Sequence, residues 1–255
     1  MSTGNVQQLF RATLEGAYED DGPWDAVREL HRIGTLEILD LAASWCESSD
    51  ALTRARGADV LSQLGKAAGH PSHNFPVEAF AILSELIGRE TEMRPLSSVI
   101  YALGHLGDAS AVPLLVRHAT NASPEVRHAV AFALGCYPNE PAALKVLLKL
   151  TADDDECVRD WATLAIGGAR RSRYSRDPQG HCRSALRSEP GCARGGRGRI
   201  GQTEHRRVLE PLFEMLTEPE PGTRPFEAAE LLLGMSQDDP PLTRDDYVNL
   251  LKSHF

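Results

Sequence analysis

Apolar residues recur at helical spacing along most of the chain, and polar or helix-ending residues interrupt them at a nearly regular interval. The clearest stretch is "SPEVRHAVAFALG", residues 123–135. Ser123 and Pro124 are typical of a helix start, the aliphatic residues that follow share one face, and Gly135 is typical of a helix end. A second helix is predicted in "NEPAALKVLLKLTADDD". Together the two predict a helical hairpin of about 30 residues.

The hairpin repeats along the sequence. An aliphatic residue followed by glycine marks the predicted end of each first helix, at successive steps of 31, 39, 31, 32, 34 and 33 residues. The glycines are Gly34, Gly65, Gly104, Gly135, Gly167, Gly201 and Gly234. Arg127 and Arg159 stand at the same distance before their glycines. We expect the glycines to stop helices, and the two arginines to bond a neighbouring repeat or helix-end carbonyls.

These motifs resemble the HEAT-repeat family, specifically the short HEAT-like repeats of the phycobilisome-lyase type. The resemblance is strongest from Gly104 to Gly167. It implies an all-α fold, an α-solenoid (alpha-alpha superhelix) of about seven hairpins whose second helices line the concave side. We expect one solenoid over residues 1–255, with a cap and first repeat in 1–34 and the last repeats and cap in 205–255.

Residues 168–204 depart from this pattern and are rich in arginine and glycine. Between Gly168 and Gly201 there are nine arginines and two acidic residues, a net charge of +7, whereas the rest of the chain carries −16. One hypothesis is a compensated pair of frameshifts, because degenerate codons for 189–201 read one base later permit "SPDVREAVAVALG". The alternative is an Arg-Gly element that binds RNA, although "ARGGRGR" has no interleaved aromatic residue.

The sequence contains no recognisable catalytic, cofactor or metal motif. His70 and His73 lie in a proline-rich loop, no H-E-x-x-H occurs, and the five cysteines form no C-x-x-C pair. We therefore expect no catalytic residues, no cofactor and no metal site. The family resemblance leaves one enzymatic alternative, a subunit that handles a tetrapyrrole (bilin) as lyases do. The three tryptophans are expected to pack inside the fold.

A protein partner is the remaining expectation. No apolar run is long enough for a membrane helix, the first residues do not resemble a secretory signal, and the net charge of −9 disfavours nucleic acid. We expect a cytoplasmic, bacterial-type scaffold or adaptor. Four residues off the apolar stripe of the central second helices are the candidate binding patch: Arg117, His118, Lys145 and Lys149. Such a patch suits an acidic partner.

Overall fold

The structure is a computed structural model, and it describes residues 3–66, 72–166, 212–213, 216–217, 229 and 242–254. All regular secondary structure in these ranges is helical. The helices are α1 (Thr3–Ala12), α2 (Asp21–Ile33), α3 (Leu36–Cys46), α4 (Ala51–Leu61), α5 (Pro76–Arg89), α6 (Met93–Leu106), α7 (Val112–Val116), α8 (Pro124–Gly135), α9 (Pro141–Leu150), α10 (Glu156–Ile166) and α11 (Arg244–His254). The chain divides into two compact units, Met1–Leu115 and Val116–Phe255.

The first unit is a stack of helical hairpins, as in an α-solenoid. The first helices of successive hairpins, α2, α4 and α6, pack against one another, and the second helices α3 and α5 pack side by side. The Asn74 amide donates to the Gly34 carbonyl at 2.7 Å, and Arg89 donates to the Cys46 carbonyl at 3.1 Å. Because these bonds join the starts and the ends of α3 and α5 respectively, the two helices run parallel.

The core of this unit is aliphatic, as the hydrophobic spacing predicts. Leu30, Ile38, Leu61, Leu83 and Leu103 have no exposed surface. Full burial of such a side chain contributes about 1.5–3 kcal/mol. Neither face of a single hairpin could achieve this alone, so stacking of neighbours is what stabilises the unit.

The glycine ladder does not mark helix ends uniformly. Gly34 ends α2 in the left-handed region at φ 55°, and its N–H donates to the Leu30 carbonyl. The expectation for Gly104 is wrong, because it lies buried inside α6, which continues to Leu106 and ends at Gly107 with φ 75°. Gly65 lies four residues beyond the end of α4, also with positive φ.

The second unit begins with a hairpin in the predicted register. Its helix α8 starts at Pro124 after the N-cap Ser123, and α9 and α10 pack against it and against each other. Gly135 is the last residue of α8 and is not in the left-handed region. A Cβ there would lie 2.8 Å from the Cβ of Ala165, so Gly135 permits close packing of α8 on α10.

Several sequence predictions fall outside the described residues. These are Gly167, Gly201, Gly234 and the anomalous segment 168–204. The proposed boundaries at 1–34 and 205–255 remain predictions. None of the described helices is long and apolar enough to cross a membrane.

Candidate protein-binding surface

The outer face of α9 carries two of the four residues in the predicted patch. Six apolar side chains of this helix are buried, including Leu144, Leu147 and Leu150. Lys145 and Lys149 are one helical turn apart on the remaining face, where Lys149 is exposed and Lys145 is half-buried. The helix contains no acidic residue. The charged side chains of this helix are therefore both basic.

The other two residues of the patch do not lie on a helix. The helix α7 ends at Val116, and Arg117 and His118 lie in the turn that follows it. Arg117 is exposed. Burial, and then the charge of Arg117, lower the pKa of His118 below its usual value, so the imidazole is neutral at pH 7. The expected position of these two residues on a second helix is wrong, because the helix is only five residues long.

The two repeat arginines bond the loop before their own helix. Arg127 Nη1 donates to the carbonyls of Asn121 and Ala122, at 2.9 and 3.1 Å. Arg159 Nη1 makes the equivalent bonds to Asp153 and Asp154, at 2.6 and 3.1 Å. In both cases the acceptors are six and five residues before the arginine. Each guanidinium thus fixes the entry of the chain into its first helix.

Arg54 makes the same two carbonyl contacts in the first unit, and the sequence analysis did not predict this. Its Nη1 donates to the carbonyls of Ser48 and Ser49, again six and five residues earlier. The signal was present, because Arg54 and Arg127 each stand four residues after an N-cap, Asp50 and Ser123 respectively. The pattern is hard to recognise in the sequence because α4 ends four residues before Gly65, whereas α8 ends at Gly135 itself.

Two of these arginines also reach the next repeat. Arg127 forms a bidentate pair with Asp153, at 2.8 and 2.7 Å. Arg54 forms the same pair with Glu90, at 2.7 and 3.2 Å. Both carboxylates are buried and precede a first helix, so each pair joins consecutive repeats. Arg159 has no carboxylate partner among the described residues.

A buried polar cluster in the first unit was also not predicted. Arg56 has no exposed surface, yet it donates to the carbonyls of Thr13 and Tyr18, both at 2.8 Å. It also contacts the Asp59 carboxylate at 3.3 Å and stacks over the rings of Tyr18 and Trp24, at 3.9 and 4.5 Å. Burial, and then Asp59, raise the pKa of Tyr18 well above its usual range. The cluster fixes the segment before α2 onto α4.

The polar side chains of this cluster bond to one another or to the backbone. The Tyr18 hydroxyl donates to Asp59 at 2.6 Å and lies 2.8 Å from Ser98 Oγ. With Arg56 bonded to Asp59 and to two carbonyls, this is the arrangement of a structural cluster.

His73, which was considered as a metal ligand, is hydrogen-bonded within the fold. His73 Nδ1 accepts from the Phe75 N–H at 3.0 Å, and Nε2 lies 2.8 Å from the Leu61 carbonyl. Both ring nitrogens are therefore used, which leaves no lone pair for a metal ion. His70 lies outside the described residues. Within the described ranges no group of three metal-binding side chains occurs.

Comparison with known proteins supports the repeat assignment. Residues 82–167 match the family model described as HEAT repeats, and this segment runs from the second half of α5 through α10. The X-ray structure of Escherichia coli YibA aligns with a TM-score of 0.54 at 20% identity, covering 99% of this chain and 97% of that one. That similarity shows the fold. No curated protein matches the sequence.

Two further solved structures align less closely. The complex of CpcE and CpcF of phycocyanin lyase from Nostoc sp. PCC7120 has a TM-score of 0.43 at 18% identity, covering 92% of this chain and 84% of that one. A designed armadillo repeat protein in complex with the peptide (KR)4 has a TM-score of 0.43 at 15% identity, covering 89% and 99%. Scores at this level carry no functional argument.

Proposed function

We propose that this HEAT-repeat chain is a non-catalytic scaffold or adaptor that binds an acidic segment of a protein partner. The observation that carries the proposal is the outer face of α9, where Lys145 and Lys149 stand one turn apart with no acid on the helix. The exposed Arg117 adds a third cation in the same unit. On a chain with a net charge of −9, a local basic face is selective for acidic partners.

The buried ion pairs have structural roles. Arg54, Arg56 and Arg127 pair with Glu90, Asp59 and Asp153 and donate to backbone carbonyls, so they stabilise the repeats. Arg127 is fully used in this way. The tetrapyrrole alternative has no described residue in its favour. The RNA alternative depends on the Arg-Gly segment, which lies outside the described residues.

The experiment is affinity capture from an extract of the native host with matched charge variants. Lys145→Glu/Lys149→Glu reverses the face of α9. Arg11→Glu/Arg28→Glu changes the net charge equally at exposed positions of the first unit. We expect wild type and the control variant to retain the same stoichiometric protein, and the α9 variant to lose it. Equal retention by all three forms would remove α9 from the binding site.

A direct measurement separates this proposal from its alternatives. Absorbance of the purified protein in the visible range would favour tetrapyrrole handling. Salt-sensitive RNA binding that is lost on deletion of residues 168–201 would favour the Arg-Gly alternative.

A further inference from the structure

The second helices of the first unit, α3 and α5, present an acidic surface, opposite in charge to the outer face of α9. The exposed positions of α3 and of the residue that caps its end fall every three or four residues along one stripe: Leu36, Asp40, Ser44 and the C-cap Glu47. Among the exposed positions of α5, an equivalent stripe is formed by Val77, Ala81, Glu85 and Arg89. Because the two helices run parallel, as their paired starts and ends require, the stripes lie side by side. We call them together the α3–α5 face.

One end of the α3–α5 face is apolar. Leu36 and Val77 occupy the first turns of the two helices and are 57% and 76% exposed. They are the two most exposed large apolar side chains in the described part of the chain. Exposed apolar side chains that lie together and are rimmed by polar residues are typical of protein-interaction sites.

The rest of the α3–α5 face is acidic. The two helices together contain one basic residue, Arg89, which pairs with Glu47. Asp40 and Glu85 are exposed, and neither has an ion-pair partner within the described residues. Asp40 stands about 6 Å, and Glu85 about 12 Å, along the helix axis from the apolar end, at 1.5 Å per residue.

We propose that the α3–α5 face binds a basic amphipathic helix of a protein partner, with an aliphatic anchor between Leu36 and Val77. Lysine or arginine one and two helical turns from that anchor would meet Asp40 and Glu85. The basis is charge complementarity together with the exposed aliphatic end. The inference rests on the proposed function in one respect, namely that the chain binds proteins. It concerns different helices and a partner of opposite charge.

The probe is a fluorescently labelled helical peptide of two leucines followed by lysines at one-turn spacing. Its controls replace the lysines with glutamate or the leucines with serine. The protein variants are Asp40→Lys/Glu85→Lys, Leu36→Ser/Val77→Ser, and a control of equal charge change at exposed sites, Glu15→Lys/Asp154→Lys. Fluorescence anisotropy measures Kd at two salt concentrations, and circular dichroism checks that each variant is folded.

We expect wild type and the Glu15/Asp154 control to bind the lysine–leucine peptide equally. Both face variants should weaken binding by about tenfold or more, with the loss in the charge variant smaller at high salt. The inference is overturned if the charge variant binds like its control, or if the glutamate or serine peptide binds as tightly. Lys145→Glu/Lys149→Glu should bind the peptide normally, which separates failure of this inference from failure of the proposed function.

Discussion

Replacement of Arg56 by methionine should destabilise the first unit more than any surface charge change. The side chain is buried and bonds two backbone carbonyls and the Asp59 carboxylate. Methionine fills similar volume but leaves Asp59 buried without its cation. Breaking a buried pair in this way costs about 3–5 kcal/mol. For comparison, Arg32→Met removes an exposed pair with Glu29 and should leave the free energy of unfolding almost unchanged, because water screens that pair.

A double variant isolates the cause of this loss. Arg56→Met/Asp59→Leu removes both charges, so it should recover a large part of the stability lost in the single variant. The Tyr18 hydroxyl keeps a partner in Ser98, at 2.8 Å. The recovery therefore reports on the uncompensated carboxylate.

Urea unfolding followed by tryptophan fluorescence measures these changes. A Trp161→Phe background restricts the signal to Trp24 and Trp45, which both lie in the first unit. A loss below about 1 kcal/mol for Arg56→Met would refute the reasoning, since it would mean that Asp59 reaches water. A double variant no better than the single one would show that the carbonyl bonds dominate.

Three further predictions concern pH, a glycine and the repeat arginines. Burial lowers the pKa of His31 from 6.5 to about 4, so the stability this neutral histidine contributes is present above pH 6.5 and is lost as pH falls toward 4. The loss amounts to about 3 kcal/mol. Between pH 7.5 and 4, the urea midpoint should therefore fall less for His31→Gln than for wild type. An equal fall in both proteins would contradict this prediction. Gly34→Ala should cost about 2–4 kcal/mol, because its Cβ would lie 2.6 Å from the Gly65 N. Gly107→Ala has open space around the new Cβ and should cost about 1 kcal/mol. Similar thermal midpoints for the two variants would refute this prediction. Arg127→Met should cost about 2–4 kcal/mol and Arg159→Met about 1 kcal/mol, because of these two arginines Arg127 alone pairs with a buried carboxylate among the described residues. Equal losses in urea unfolding would count against the inter-repeat pair.

The fold class could be predicted from the sequence because the hydrophobic spacing that produces it repeats along the chain. The helix in "SPEVRHAVAFALG" begins and ends where its N-cap and glycine indicate, from Pro124 to Gly135. Gly104 misled the prediction because an aliphatic-glycine pair is compatible with a helix interior. The left-handed residue that ends α6 stands three positions later, at Gly107.

The polar interior could not be predicted in the same way. Arg56 and Tyr18 are 38 residues apart in sequence, and Tyr18 and Ser98 are 80 apart. No local pattern encodes such contacts, because they depend on how hairpins stack. A charged residue on a predicted helix is usually exposed, so the burial of Arg56 contradicts the usual tendency.

The spacing between the paired arginine and carboxylate is not constant between repeats. The carboxylate follows its arginine by 26 residues in Arg127–Asp153 and by 36 in Arg54–Glu90. The sequence therefore does not identify a partner for Arg159 within residues 168–204. The frameshift hypothesis for that segment stays a prediction, which the coding DNA can test directly.

The central claim is that the outer face of α9 binds an acidic segment of a protein partner. The most direct measurement places a photo-crosslinking amino acid at Ala142, an exposed residue one turn before Lys145, and identifies its products in host extract by mass spectrometry. The account predicts one dominant protein, joined through an acidic segment, that is absent when the crosslinker stands at Gln7 on α1. No crosslinked protein from Ala142, or the same products from both positions, would contradict it.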